Sequence, residues 1–394
     1  MGHRNFRIFF SGYIVSLVGI WMHRVGQQWL VLELTDSALW VGAVDALGSM
    51  PILFFSLYAG ALADRISRYR MVIATQIAAM ALSLILAVLV LAGVVQLWQV
   101  VGVATLLGVV TAFDIPARQS FFVELVGKDD LLNAIALNSS AFNASRVVGP
   151  AIGGVVIVVL GVGMCFLING VTYLAVVAAL FAMTIPSHAA PLPGPPAWVR
   201  IREGLAYVAE EPRVRAIVLN LAGISIFGFP SLVLLPVVAR NVLGGGAQAY
   251  GWMVSAVGAG AVVSALVLAA YARRIPKGRV LGLATATFGI LAVLLGLSRS
   301  LGVMLVLLVL AGLAMIVTTA TTNSLLQTIA PDELRGRVVS IFTVAFGGMT
   351  PFGALQAGFI AEHLGVMTAF LTGGTVTVLL GVRTMLRRDL RLTT

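Results

Sequence analysis

The sequence predicts an all-α membrane protein with twelve transmembrane helices in two six-helix bundles and both termini in the cytoplasm. Three observations carry this expectation. The chain of 394 residues is 60% hydrophobic and only 10% charged, whereas soluble domains average about 45–50% apolar and about 25% charged. Its apolar residues fall into twelve runs, each close to the about 20 residues that a spanning helix needs. Its lysines and arginines collect on every second connection, as cytoplasmic loops require.

In order, the runs cover roughly residues 8–33, 38–62, 71–93, 97–117, 134–159, 163–183, 216–239, 250–270, 280–297, 301–323, 338–361 and 366–386. The first run continues at full spanning length with no small-residue cleavage site after it, so no cleaved leader is expected. One set of connections holds Arg4 and Arg7, then Arg65, Arg68 and Arg70, then Arg118 and Lys128. It continues with Arg200, Arg202, Arg213 and Arg215, then Arg273, Arg274, Lys277 and Arg279, then Arg335 and Arg337, and the tail adds Arg383, Arg387, Arg388 and Arg391. The opposite set holds only Arg240 and Arg299. The basic set therefore faces the cytoplasm, and the net charge of +10 is explained without nucleic acid as a partner. Trp29, Trp40, Trp98 and Trp252 fall near outer ends, where an aromatic belt belongs. Cys165 lies in an apolar run and reads as a small buried hydrophobe.

The longest polar connection divides the chain into an N-terminal bundle (1–183), a cytoplasmic linker (184–215) and a C-terminal bundle (216–394). The linker opens with Pro186, Pro191, Pro193, Pro195 and Pro196, which cannot continue a helix. Trp198, Ile201, Leu205 and Val208 then recur at helical spacing and predict an amphipathic helix on the cytoplasmic face. A weak repeat supports two halves. Phe121-Phe-Val-Glu-Leu-Val-Gly-Lys-Asp-Asp-Leu131 precedes the fifth run, and Leu325-Leu-Gln-Thr-Ile-Ala-Pro-Asp-Glu-Leu334 precedes the eleventh.

The connection between the second and third runs reads Gly60-Ala-Leu-Ala-Asp-Arg-Ile-Ser-Arg-Tyr-Arg70. It resembles the loop signature between the second and third helices of major facilitator superfamily transporters. Gly60, Leu62, Ala63, Asp64, Arg65 and Arg68 match, and Ser67 stands where the family usually has Gly. Arg202-Glu-Gly-Leu-Ala-Tyr-Val208 with Pro212, and Pro331-Asp-Glu-Leu-Arg-Gly-Arg337, resemble the linker and the tenth-to-eleventh loop of that superfamily. The bacterial macrolide-efflux and enterobactin-exporter group is the most similar part of it. The resemblance implies a conformational switch in which Arg68 pairs with Asp114 and Asp64 faces the start of the eleventh helix near Arg337. Gly149-Pro150-Ala-Ile-Gly153-Gly154 resembles the core of the fifth-helix signature of antiporters, with Ser145 in place of a preceding Gly. The Arg of the family's fourth-helix motif would fall at Ala104, and Arg146 is the available substitute.

Charge inside a membrane is costly and by default functional. Arg24 in the first run, Asp45 in the second and Arg146 in the fifth are the candidates, and they predict proton coupling. Arg24 and Asp45 lie at similar depth and can pair, so a structural ion pair is the competing reading. Gln28, Asn143, Asn220 and Asn323 are the candidate substrate-binding groups, with interhelical hydrogen bonding as the alternative. No phosphate-binding loop, zinc-ligand cluster or nucleophile elbow occurs. No enzyme activity, metal or cofactor is expected.

These residues and the resemblance together imply a monomeric secondary transporter of the inner membrane. It would export a small amphipathic, drug-like or siderophore-like molecule by alternating access and proton antiport. Uptake or facilitated diffusion is the alternative within transport, and a non-transporting receptor or scaffold is the alternative outside it. Reporter fusions at Ala190 and after Thr394 should both read cytoplasmic, and an external signal at either excludes twelve spans.

Overall fold

The structure is a computed structural model that describes residues 4–63, 66–127, 130–183, 202, 206–271, 276–331 and 334–387. Among them, twelve helices are long and apolar enough to cross a membrane, and no strand occurs. They are α1 (Arg4–Thr35), α2 (Ala38–Ala63), α3 (Arg68–Leu91), α4 (Leu97–Val126), α5 (Leu131–Leu160) and α6 (Val162–Phe181). After the linker follow α7 (Pro212–Val242), α8 (Gly246–Tyr271), α9 (Lys277–Leu297), α10 (Leu301–Ile329), α11 (Arg335–Leu364) and α12 (Val366–Leu386). All twelve expected spans are present. Trp29, Trp40, Trp98 and Trp252 lie toward the outer ends of α1, α2, α4 and α8.

Several helices outrun their apolar runs at the cytoplasmic end. The run ending near 117 becomes a helix reaching Val126, with Pro116 inside it. Proline is tolerated within a spanning helix where neighbouring helices take up the freed backbone groups. The extension is held by aromatic packing. Phe9 meets Phe121 and Phe122 edge-on, with ring centroids 5.5 Å and 5.7 Å apart, and Phe6, Tyr13, Val126 and Leu180 belong to the same cluster.

The chain forms two compact units, one of Met1–Thr35 with Leu47–Ala197, the other of Asp36–Ala46 with Trp198–Thr394. In the first, α1 packs on α5 and α6, and α3 on α4 and α6. Inside a membrane, apolar side chains gain nothing from meeting each other rather than lipid, so helices associate through close backbone approach and buried hydrogen bonds. Both devices occur here. A Cβ on Gly12 would sit 2.6 Å from the Ala175 carbonyl oxygen. His23 Nδ1 lies 3.1 Å from Ser83 Oγ, Asn169 Nδ2 donates to the same hydroxyl at 3.1 Å, and Ser83 donates to the Phe166 carbonyl at 2.9 Å. That knot joins α1, α3 and α6, and it places His23 as a buried packing residue.

In the second unit, α9 packs on α12 and α8 on α10. A Cβ on Gly260 would overlap the Val309 carbonyl, and one on Gly312 would overlap that of Val257. Two spans carry irregular turns. α7 passes through a 3-10 turn (Phe229–Leu234) and a π turn (Val238–Val242) around Pro230 and Pro236. α11 carries a π turn (Val344–Gly348) just before Pro351. There the Thr350 hydroxyl donates to the carbonyls of Gly347 and Phe346 at 2.8 Å and 3.2 Å, taking up groups the irregular turn releases.

Of the linker, residues 184–201 and 203–205 lie outside the described residues, and with them Trp198, Ile201 and Leu205 of the expected amphipathic helix; 206–210 are helical. Val208 is buried and Tyr207 packs beside it against Val214, Ile217, Leu325 and Val338, so the end of the linker is docked on the second unit.

Asn220 joins three helices. Its Nδ2 donates to Thr285 Oγ1 at 3.4 Å and its Oδ1 accepts from Thr384 Oγ1 at 3.1 Å. Interhelical bonds of this kind contribute about 0.6 kcal/mol on average and up to about 1.7. Asn220→Val should therefore lower the unfolding free energy of the detergent-solubilised protein by about 1 kcal/mol, seen as a reduced thermal midpoint. An unchanged midpoint would show that the two bonds contribute nothing net.

Candidate functional site

The crossing of α1 and α5 builds the central cluster of charge. Gly149 sits where α1 passes, and a Cβ there would lie 2.6 Å from Trp21 Cβ and 2.8 Å from the Val18 carbonyl oxygen. One turn on, a Cβ on Gly153 would meet Met22 Cγ at 3.2 Å. Pro150 lies within α5 and Gly154 is buried on it. The Gly149–Gly154 motif thus seats α1 against α5 inside the first unit. That contact brings Arg146 beside Trp21. The guanidinium carbons of Arg146 and Arg24 stand 5.7 Å and 5.8 Å from the Trp21 ring centroid, and the Phe142 ring meets the indole edge-on at 5.6 Å. Two of the three predicted coupling residues are therefore gathered around one indole in spanning helices. The third, Asp45, is half-buried in α2, within the Asp36–Ala46 segment that groups with the second unit.

The candidate substrate-binding residues separate. Gln28 is buried in α1. Asn143 is half-buried and donates to the Ser139 carbonyl of its own helix at 2.8 Å. Asn220 is engaged at both ends of its amide, as described above. Asn323 accepts from Gln327 Nε2 at 3.0 Å along α10.

The switch motif is rearranged relative to the expectation. Gly60 lies in the last turn of α2, while Asp64 and Arg65 lie outside the described residues, and with them the expected approach of Asp64 to α11. Arg68 does not pair with Asp114. Its Nη1 lies 2.6 Å from Glu124 Oε1 instead. Asp114 is not at a helix end either, because α4 continues to Val126. Its Oδ2 lies 3.0 Å from Arg118 Nε, and its Oδ1 accepts from Gln76 at 2.9 Å and Thr75 at 3.0 Å. The Arg118 guanidinium in turn lies 4.6 Å from the Tyr13 ring centroid. The physical reason is the helical extension. It carries Glu124 one pitch after another past Asp114 toward the start of α3, where Arg68 begins the helix. Ala104 also has a reason to be small: α2 and α4 cross there, and a Cβ on Gly108 would overlap the Gly48 carbonyl.

Sequence reading missed a second polar assembly, at the outer ends of α2, α7 and α11. The α1–α2 connection is two residues, and Asp36 takes it with φ 49°, a left-handed conformation that Asp tolerates. The Glu362 carboxylate accepts from the Ser37 hydroxyl at 3.0 Å and the Leu39 amide at 3.3 Å, so it caps the N-terminus of α2. Arg240 Nη1 lies 3.7 Å from Asp36 Oδ1. Just below, α2 and α11 touch backbone to backbone. A Cβ on Gly358 would lie 2.8 Å from the Ala38 carbonyl oxygen and 3.3 Å from Gly42 Cα. Single small residues in long apolar runs gave no usable signal for this contact.

Residues 1–394 match the family described as Transmembrane secretion effector. The chain belongs to this family. It is a multi-pass membrane transporter of the major facilitator type in the bacterial inner membrane, and its relatives are transporters rather than enzymes. It is 27% identical over 374 residues to a staphyloferrin A transporter of Staphylococcus aureus, covering 94% of this chain and 93% of that one. It is 27% identical over 370 residues to the multidrug efflux pump Tap of Mycolicibacterium fortuitum, covering 91% and 89%. In fold it is similar to a crystal structure of peptide transporter POT, with TM-score 0.78 and 14% identity over 97% of this chain and 93% of that one.

In this transporter the Glu362 cap should govern how often the outer end of α2 comes away. A charge-assisted cap of this kind contributes about 1 kcal/mol, so Glu362→Ala should raise the released population about fivefold. A Leu39→Cys reporter labelled with a membrane-impermeant maleimide should react about fivefold faster in that background. Equal rates would show that the cap does not hold the contact.

Proposed function

We propose that this transporter exports a small amphipathic organic molecule by alternating access, acting as a monomer, with proton entry as the driving reaction. The observation that carries this reading is the cluster of Trp21, Phe142, Arg24 and Arg146. An indole and a phenyl ring offer apolar surface to an organic ligand, and the guanidiniums offer charge-assisted hydrogen bonds. A site that is mostly apolar with a few placed polar groups suits an amphipathic molecule and would serve a sugar poorly. The efflux function named for the multidrug pump among its relatives supports the outward direction.

Asp45 is the residue assigned to the proton. A carboxylate in a spanning helix changes its proton affinity with burial and with the distance of a cation, so a structural change can load and unload it. Asp45 belongs to the same segment of α2 that Glu362 caps. Release of that segment would therefore change the surroundings of the carboxylate together with access from outside. Arg24 or Arg146 is the cation assigned to hold it ionised in one state.

Purified protein in liposomes under an imposed pH gradient tests both parts. Wild type should accumulate amphipathic drugs against their gradient. Asp45→Asn should lose at least about 90% of proton-driven accumulation while retaining downhill exchange, because a group that carries the driving ion is needed only for the uphill reaction. Full proton-driven accumulation by Asp45→Asn would remove Asp45 from the coupling reaction, and Asp114 would be the next carboxylate to test.

A further inference from the structure

We propose that the cytoplasmic ends of α7 and α12 form a binding site for an anionic phospholipid of the inner leaflet, independent of the transport site. A cavity of about 220 Å³ opens there, lined by Leu219, Asn220, Leu380, Arg383, Thr384 and Arg387. α7 begins at Pro212 on the cytoplasmic side and α12 ends at Leu386 on the same side. The cavity therefore lies where the membrane meets the cytoplasm.

Its rim is basic, its wall apolar and its buried floor polar. Arg383 and Arg387 stand in and just past the last turn of α12. Arg383 is exposed and makes no hydrogen bond or ion pair among the described residues, so its guanidinium is available to an outside partner. Leu219 is 54% exposed and Leu380 half-buried, one turn or more deeper on each helix, and they form an apolar wall. At the floor, Thr384 donates to Asn220 at 3.1 Å. A lipid meets this order group by group. Its phosphate sits on the guanidinium fork, which suits phosphate oxygens. Its glycerol esters lie over the Asn220–Thr384 pair, whose hydrogen bonds stay intact, and one acyl chain runs along Leu219 and Leu380. A free phosphate would use the arginines and leave the apolar wall wet. Basic pockets between spanning helices on the cytoplasmic side are a recognised form of anionic-lipid site, and the cytoplasmic leaflet is the negative one.

The position gives the lipid something to act on. Asn220 and Thr384 tie α7 to α12, and Asn220 also bonds Thr285 of α9. An occupant of the cavity stiffens the junction from which the linker enters the second unit.

Delipidated full-length protein in detergent, titrated separately with phosphatidylglycerol, phosphatidylcholine and inorganic phosphate, tests this by native mass spectrometry and thermal midpoint. Phosphatidylglycerol should be retained about tenfold more tightly than phosphatidylcholine and should raise the midpoint. Arg383→Gln should lose about fivefold of that preference and Arg383→Gln/Arg387→Gln nearly all of it, while the double Lys variant keeps most. Leu219→Trp fills the exposed wall and keeps both arginines, so it should weaken both phospholipids and leave any phosphate binding unchanged. Equal retention of the two phospholipids by wild type overturns the proposal. So does a preference that survives the double Gln substitution. Stabilisation by inorganic phosphate that equals the lipid's identifies a soluble anion as the ligand and overturns it as well.

Discussion

The hydrocarbon core of a bilayer contains no water, so every backbone N–H and C=O within it must find a partner in the chain. That constraint makes the twelve spans helices, and it also explains where the helices are irregular. The π turn before Pro351 is mended by the Thr350 hydroxyl, and the breaks in α7 fall at Pro230 and Pro236. With the backbone satisfied inside each helix and lipid as apolar as leucine, only close approach and buried polar pairs are left to choose neighbours. The glycines that matter are those with a carbonyl where a Cβ would be: Gly12 against Ala175, Gly108 against Gly48, Gly149 against Val18. Arg146 reaches Trp21 because Gly149 and Gly153 let α1 come close. The charge cluster is thus a product of helix packing before it is a site.

The spans were legible because their signal is local. Each needs only a window of apolar residues, and the arginines at their ends orient them. The electrostatic pairs were less legible because they depend on where helices stop. An apolar run ending near 117 put Asp114 at the inner end of the fourth helix, where the family resemblance implies pairing with Arg68. Once the helix runs on through Phe121 and Phe122 to Val126, Glu124 takes that partner and Asp114 turns to Arg118, Gln76 and Thr75. The family resemblance identified the fold and the motif, but pairing between charges follows the local helix length of this chain.

The outer contact was not legible at all. Ser37 and Glu362 are separated by 325 positions in sequence, and neither stands out in composition. Asn220, by contrast, was visible as a polar residue in an apolar run. Only the structure shows that its amide is spent on Thr285 and Thr384. Polar residues in spanning helices announce themselves, yet the same signal serves helix cross-links and ligand contacts alike.

By sequence α2 belongs to the first six helices, but residues 36–46 pack with the last six. The two halves are therefore not interchangeable modules. A gene cut within the linker would encode one polypeptide with a glycine-faced helix end lacking its match, and another whose Glu362 carboxylate has lost the helix terminus it caps. Reassembly of such fragments would begin at the outer surface, by insertion of one short segment of α2. A circularly permuted gene opening at the linker would instead join that segment to α11 through α12, the fused ends and α1, a shorter path than the native one through α3 to α10.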